Sequence, residues 1–337
     1  MKKVVLWKTV LRRLEMRHLE MRHIDPHVHC RDDKEAYKAD IREVSEKAQA
    51  QGIVAILDIC PIFSEEDAKA RISLAESRNP VIPYFFYMGL TANKEQIKEA
   101  VRIVKDYPQV VGLKMRTIDS PNFPGVSREK DQSQVYQILT ELDYKGVLMV
   151  HCEKQSKLNP KLWDPLRPWT HSSAHPPGAE FASIWDQIWQ AEEVGFKGQL
   201  HIAHISCPES VKLVARAKKV MAITCGVTPH HILWDSDRLK GGMGLFNKVD
   251  PPLRNIEKVL ELRKCLIAGE IDWVESDYAP HTVPEKLTPP YLSGIAAYGL
   301  YQVLLDWLKQ KGVTDEEVAN LTYWNIKKVF GEKLEAI

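Results

Sequence analysis

Short apolar runs rich in β-branched residues recur from residue 23 onward, and segments with helical periodicity separate most of them. The helical pattern is clear in residues 39–51, where Ile41, Val44 and Ala48 form one stripe and Gly52 follows as a C-cap. The same spacing recurs in residues 179–194, at Phe181, Ile184, Trp185 and Ile188. We predict eight strands, in residues 23–29, 52–59, 81–88, 110–115, 146–151, 199–205, 221–227 and 271–276.

Eight strands alternating with helices give the element count of a (β/α)8 TIM barrel, although a doubly wound open sheet shows the same alternation. The positions of the polar residues favour the barrel. In most runs a histidine, an acid or a lysine lies near the C-terminal end, where a barrel collects its active-site residues. We therefore predict an α/β barrel over residues 23–337.

The composition fits a globular protein, with 337 residues, 44% of them hydrophobic and 27% charged. A net charge of +1 gives no general attraction to nucleic acid or to an anionic membrane. The longest apolar runs are too short for a membrane span or a signal-peptide core, so we expect a cytoplasmic protein. Six scattered cysteines without a Cys-x-x-Cys pair predict free thiols.

Residues 1–22 differ from the rest of the chain. They are basic and contain a tandem repeat of Leu-Glu-Met-Arg-His that ends at His23. We assign them to an N-terminal extension, with two alternatives: an element appended to the barrel, or a poorly ordered segment before a natural start near Met21.

The first run contains a His-x-His pair. In a regular strand Asp25, His27 and His29 share one face, so two imidazoles converge on one point and can bind a divalent metal. The alternative is a surface strand with two solvated histidines.

Two further runs place polar groups on predicted strands. Lys114 lies inside an apolar strand, where a desolvated amine has a depressed pKa and can add carbon dioxide to become a bridging carbamate. The alternative is a lysine that reaches water or pairs with a buried acid. His151 shares a face with Val147 and Met149 and lies at the end of its strand, where the alternative is a core histidine.

The sixth and eighth runs complete the candidate cluster. If Leu200 and Ile202 fill the barrel interior, His204 points inward and His201 faces the helices. Asp277 ends the last strand, where a carboxylate can bind metal and accept a proton, or alternatively cap the next helix.

Taken together, these residues resemble the dihydroorotases, amidohydrolase-superfamily barrels that interconvert dihydroorotate and carbamoyl aspartate. The resemblance covers residues 23 to about 300 and depends on seven motifs in the same order: Asp25-Pro-His-Val-His-Cys-Arg-Asp32, Lys114, His151-Cys-Glu153, His201-Ile-Ala-His-Ile-Ser206, Thr228-Pro-His-His231, Pro251-Pro-Leu-Arg254 and Ser276-Asp-Tyr-Ala-Pro-His281.

The resemblance implies a binuclear zinc site. It implies one zinc held by His27, His29 and Asp277, a second held by His151 and His204, and a bridge made by carbamylated Lys114. It also implies that Arg31 and His281 bind the substrate, with Asp250 at a further substrate position. In having a lysine rather than an aspartate as the bridging residue, the chain resembles the shorter type of dihydroorotase, which lacks a large flanking β-domain.

The chain departs from the family at substrate positions. Residues 59–61 read Ile-Cys-Pro where the family has Met-Pro-Asn, and Asp250 stands where an Asn often precedes Pro-Pro-Leu-Arg. Tyr278 replaces a common His or Ser, and Glu275 occupies a position usually held by a small residue. Metal ligands determine the type of reaction, whereas the polar groups that contact the substrate determine which molecule is accepted. The resemblance therefore supports hydrolysis of a cyclic amide more directly than it supports dihydroorotate as the substrate.

Our functional hypothesis is a dihydroorotase of pyrimidine biosynthesis, in which a metal-bridged hydroxide attacks the amide and Asp277 transfers the proton to the leaving nitrogen. The alternatives are a hydantoinase, dihydropyrimidinase or allantoinase type, and a catalytically weak partner subunit. The partners expected are a small-molecule substrate and, beyond it, a second copy of the chain or a carbamoyltransferase.

Loops after several strands contain further histidines. Residues 117–127, residues 154–178 and the glycines before Asp250 are candidate gates. We expect His171 and His175 to be surface or lid residues, and His230 and His231 to support a loop.

Overall fold

The computed structural model describes residues 22–120, 123–335 and 337, so the assigned N-terminal extension lies outside the described residues except for Arg22. Eight parallel strands follow one another in chain order around the sheet. The strands are β1 (His23–Val28), β2 (Ile53–Asp58), β3 (Tyr84–Gly89), β4 (Val110–Arg116), β5 (Val147–His151), β6 (Gln199–Ile202), β7 (Ile223–Val227) and β8 (Trp273–Val274).

The sheet closes between its first and last strands. The backbone N–H of Asp277 donates to the carbonyl of His27 at 2.9 Å, and that of His29 donates to the carbonyl of Tyr278 at 2.8 Å. All eight strands lie within the predicted runs or extend at most one residue beyond them, and the predicted barrel is confirmed. Within the described ranges no second sheet flanks it.

Helices and short turns surround the barrel. The helices are α1 (Ile41–Gln49), α2 (Glu65–Arg78), α3 (Lys94–Asp106), α4 (Glu129–Glu141), α5 (His171–Ala174), α6 (Pro177–Glu193), α7 (Pro208–Ala217), α8 (Pro229–Leu233), α9 (Ile256–Ile267), α10 (Val283–Leu287), α11 (Gly299–Gln310), α12 (Asp315–Ala319) and α13 (Asn325–Phe330). A π-helical segment, Asn320–Trp324, joins the last two. The 3-10 turns are Asp33–Glu35, Gln155–Lys157, Pro160–Leu162, Pro168–Thr170, Ser236–Leu239, Gly244–Asn247 and Gly331–Leu334.

Two apolar clusters stabilise the barrel. On β5, Leu148 and Val150 belong to the cluster between the sheet and the helices, whereas Met149 belongs to the interior cluster. Phe330 of α13 packs with the interior cluster and contacts Trp273, so the C-terminal segment covers one end of the barrel. The polar ends of the strands are therefore left at the opposite end.

Helix α6 differs from its predicted packing. Ile184 and Ile188 are buried, as the periodicity predicted, but Phe181 and Trp185 are 38% and 55% exposed. All six cysteines lie within the described residues, where they are buried and free of disulfides. In the part of the chain that the structure describes, no helix has the length and apolar content needed to cross a membrane.

Candidate metal and substrate site

Three of the predicted ligands meet where β1 and β8 end. Oδ1 of Asp277 lies 3.3 Å from Nε2 of His27 and 3.1 Å from Nε2 of His29. The second ring nitrogen of His29, Nδ1, lies 2.9 Å from the carbonyl oxygen of Ile59, which fixes the ring orientation. These three side chains form a group whose donor atoms can hold one metal ion.

The other predicted ligands lie beside this group. Nδ1 of His151 is 3.1 Å from Nε2 of His204, and the rings of His27 and His204 have centroids 5.2 Å apart. Lys114 is 2% exposed, and its Nζ is buried without a hydrogen-bond partner among the described residues. The structure thus gathers four imidazoles, one carboxylate and one buried amine at the mouth of the barrel.

The backbone turns sharply at two of these residues. His204 has φ +38° and Asp277 has φ +47°, both in the left-handed region that non-glycine residues rarely adopt. His204 follows the end of β6, and its turn directs the ring toward His27 and His151. Such strained conformations concentrate at functional sites.

The surroundings of the candidate ligands shift their pKa values toward the forms that bind metal. Burial lowers the pKa of His29 and of His151 to about 4, so that both rings are neutral at neutral pH. It also lowers the pKa of Lys114 from its ordinary value to about 8, which increases the fraction of neutral amine at neutral pH. Burial opposes ionisation of Asp277, but His27 and His29 hold its pKa below the ordinary value.

These residues fit a binuclear metal site. Neutral imidazoles and a carboxylate are the ligands that zinc binds in hydrolases. Buried polar groups normally have partners, yet Nζ of Lys114 and Nδ1 of His27 and of His204 have none among the described residues. If Lys114 were carbamylated and its carbamate bound cations, its buried nitrogen would no longer be an unpaired amine. The side chains around Lys114 in the described residues give it no hydrogen-bond partner.

Two buried carboxylates surround the cluster, and neither was among the predicted site residues. Glu153 lies 3.0 Å from Nε2 of His151 and 2.9 Å from Nδ1 of His175, so it orients a candidate ligand in the manner of a carboxylate–histidine–metal triad. Its position in the His-Cys-Glu motif was the available signal. Glu275 accepts from the backbone N–H of His204 and lies 3.6 Å from Nδ1 of His27.

A cavity of about 760 Å³ opens above the cluster and contains the three predicted substrate-binding residues. Arg31 and His281 lie together, with Nη2 of Arg31 3.4 Å from Nε2 of the imidazole. Asp250 lines another part of the wall, where its carboxylate is held 2.7 Å from Nε2 of His171. Arg31 has no carboxylate within 4.0 Å among the described residues, so its guanidinium is free to bind an anionic ligand.

Two predicted side-chain orientations are wrong. Asp25 does not join His27 and His29; it accepts a hydrogen bond from Tyr298 at 2.6 Å, on the helix side of the sheet. The register between β1 and β2 shifts between Asp25 and Val28, around Pro26, which has no N–H to donate to the neighbouring strand. His201 faces the barrel interior, since its ring stacks on Trp273 with centroids 4.0 Å apart.

The loop histidines divide into two groups. His231 lies 2.7 Å from Oγ1 of Thr228 and 2.9 Å from the carbonyl oxygen of Pro251, which agrees with its expected role in loop support. A surface position is wrong for His171, which is 2% exposed, whereas His175 is half-buried beside Glu153, and a lid role for either stays a prediction. His171, His175 and Asp250 form a second group of clustered donor atoms.

Comparison with curated proteins finds similarity to several dihydroorotases. The chain is 29% identical over 280 residues to that of Aeropyrum pernix, covering 80% of this chain and 59% of that protein. It is 26% identical over 329 residues to that of Methanosarcina mazei (91% and 69%) and 30% identical over 270 residues to that of Carboxydothermus hydrogenoformans (78% and 60%). The chain thus spans about three fifths to seven tenths of the length of these relatives. No family model matches it.

Comparison with solved structures finds the same fold in hydantoinases. An L-hydantoinase (dihydropyrimidinase) from Arthrobacter aurescens matches with a TM-score of 0.80 and 21% identity, over 92% of this chain and 70% of that one. A D-hydantoinase (dihydropyrimidinase) from Thermus sp. matches with a TM-score of 0.75 and 23% identity, over the same shares of the two chains.

Proposed function

From the similarity to dihydroorotases, we propose that this chain is an amidohydrolase that hydrolyses a cyclic amide, with dihydroorotate as the substrate. The reaction opens the ring to N-carbamoyl-aspartate and is reversible. The observation that carries the proposal is the gathering of His27, His29, His151 and His204 around Asp277 and a buried lysine, on the floor of the cavity.

We assign the metal ligands as the sequence predicted them. His27, His29 and Asp277 would hold one divalent ion, His151 and His204 a second, and carbamylated Lys114 would contact both. Two zinc ions held there would supply Lewis-acid polarisation of the amide carbonyl and a more acidic water molecule.

Other residues of the chain position the substrate and move the proton. The carboxylate of Asp277 takes a proton from the attacking water and delivers it to the ring nitrogen as the C–N bond breaks. The guanidinium of Arg31 binds the ring carboxylate, and His281 beside it supports the same end of the substrate. Glu153 keeps the His151 ring in place.

The first experiment combines metal analysis of the purified protein with a dihydroorotate hydrolysis assay. We expect about two zinc ions per chain and measurable ring opening. Protein that carries both metals but turns over no cyclic amide would instead support a non-catalytic partner subunit.

A second candidate is hydrolysis of another cyclic amide, which the altered substrate contacts favour. Pro61 stands where the family has an asparagine, and Asp250 replaces a second one. Hydantoin, dihydrouracil and allantoin, assayed beside dihydroorotate, discriminate between the two candidates through their kcat/KM values. A value for any of them above that for dihydroorotate would replace the first proposal.

Substituting Arg31 is expected to weaken substrate binding without removing the metals. Arg31→Met should raise KM for dihydroorotate roughly 10- to 100-fold, because charge-assisted hydrogen bonds to the ring carboxylate are lost. Lys34→Met is the matched control, since Lys34 is an exposed cation at the rim of the same cavity. Steady-state kinetics and metal content are measured for both variants; an unchanged KM in Arg31→Met would place the carboxylate contact elsewhere.

A further inference from the structure

Ring opening changes the charge of the substrate, and the site must accommodate both forms. Dihydroorotate carries one carboxylate, whereas N-carbamoyl-aspartate carries two, because hydrolysis converts a neutral amide into a carboxylate and a neutral urea group. In the proposed function Arg31 binds the carboxylate common to both forms. The two oxygens of the carboxylate created by the reaction come from the amide carbonyl and the attacking water, which the two zinc ions would polarise, and no side chain is yet assigned to this carboxylate.

Arg116 lies where such a partner is needed. It is the last residue of β4, two residues after Lys114, and it pairs in register with His151 on β5. Its side chain lines the same cavity as Arg31 and Lys114. Because β1 and β4 are three strands apart in the ring of eight, Arg31 and Arg116 approach the candidate metal ligands from different sides.

The guanidinium of Arg116 has no partner among the described residues. Its Nε is buried without a hydrogen bond, and no carboxylate of those residues lies within 4.0 Å. The nearby acids are engaged elsewhere: Glu153 contacts His151 and His175, and Asp250 contacts His171.

Two buried arginines within the described residues lie close to carboxylates, whereas the partly buried Arg116 does not. Arg71 is 5% exposed; its Nη2 donates to Asp58 at 2.5 Å and its Nε donates to Tyr84 at 2.6 Å. Arg254 is 2% exposed and lies 3.7 Å from Glu180. A buried N–H without a partner, such as that at Nε of Arg116, is costly, and an anion bound to the guanidinium would satisfy it.

We propose that Arg116 binds the carboxylate that ring opening creates. Arg31 and Arg116 together then match the dianionic open form, whereas the cyclic form engages Arg31 alone. The proposal rests on the proposed function, since it assigns the second anionic contact of the same reaction.

Three ligands distinguish the contact assigned to Arg31 from the contact assigned to Arg116. Dihydroorotate carries only the carboxylate assigned to Arg31, N-carbamoyl-β-alanine carries only the one assigned to Arg116, and N-carbamoyl-aspartate carries both. Dissociation constants for N-carbamoyl-β-alanine are measured by calorimetry on the metal-loaded protein, and KM values for the other two by initial rates in each direction.

The expected results form a crossed pattern. Arg116→Met should weaken the binding of N-carbamoyl-β-alanine and of N-carbamoyl-aspartate roughly 10- to 100-fold. It should change KM for dihydroorotate less than about threefold. Arg31→Met should weaken the binding of dihydroorotate and of N-carbamoyl-aspartate and leave the binding of N-carbamoyl-β-alanine unchanged. Arg116→Lys should retain part of the affinity, because it keeps the charge and loses the fork. Arg128→Met, which removes an exposed arginine on the same side of the barrel, should change nothing.

Two outcomes overturn the proposal: unchanged binding of N-carbamoyl-β-alanine in Arg116→Met, or an equal loss for all three ligands, which would indicate a general structural role. Circular dichroism and metal content establish that each variant is folded and loaded. If the wild type turns over neither dihydroorotate nor N-carbamoyl-aspartate, the proposed function fails on its own, and the calorimetric comparison still decides whether Arg116 binds the carboxylate.

Discussion

Replacing Asp277 with asparagine is expected to lower kcat for dihydroorotate hydrolysis by about 10²- to 10⁴-fold, the contribution typical of a general acid–base group. The amide cannot accept the proton of the attacking water or deliver it to the leaving nitrogen. Asparagine is a suitable replacement because it tolerates the left-handed conformation of this residue, φ +47°, almost as well as aspartate. A loss of activity therefore reports the missing carboxylate rather than a strained backbone.

The control for this experiment is Asp143→Asn. Asp143 is also an aspartate with positive φ, but it is exposed, its carboxylate pairs with Lys145 at 2.9 Å, and it does not line the cavity. Both variants are compared by initial rates, bound metal and thermal unfolding. Near-normal turnover in Asp277→Asn would falsify the assigned proton-transfer role, and complete metal loss would mean that the carboxylate acts mainly as a ligand.

The strand ends were the part of the molecule that the sequence predicted best. Parallel strands buried on both faces give continuous apolar runs, and polar residues at their C-terminal ends are conspicuous in such runs. That is why the sequence pattern alone predicts Lys114, His151 and Asp277 at one mouth of the barrel.

The face of each side chain was predicted less well, for a physical reason. Alternation assigns residues to two faces, but it does not say which face is interior when both are apolar. Leu200 and Ile202 pack against the helices, so His201 points into the barrel and His204 reaches the site only because the chain turns after β6. In β1, Pro26 breaks the alternation that the prediction required.

Partners of buried charges could not be predicted, because they come from distant parts of the sequence. His171 and Asp250 are 79 residues apart, and nothing local to either indicates the contact between them. The unpaired state of Arg116 is likewise visible only once its neighbours are placed.

Asp58 provides the clearest case of such a hidden contact and the largest expected effect on stability. It is fully buried at the end of β2 and accepts hydrogen bonds from Arg71 at 2.5 Å, from Tyr84 at 2.6 Å and from the backbone N–H of Cys30 at 2.8 Å. Asp58→Ala removes the carboxylate closest to the 5% exposed Arg71 and leaves it with the more distant Asp32, 3.8 Å away. Because a buried charge that loses its hydrogen-bonded partner is strongly destabilising, we expect the free energy of unfolding to fall by about 3–5 kcal/mol.

Glu46→Ala is the matched control for this prediction. It removes the carboxylate of the exposed pair between Arg42 and Glu46, whose closest atoms are 2.6 Å apart, and should cost less than about 1 kcal/mol. Urea unfolding of the metal-free proteins keeps metal binding out of the comparison, because a ligand bound to the folded state adds its own stabilisation. Equal losses in the two variants would show that burial of the Arg71–Asp58 pair adds nothing to the effect of removing a carboxylate.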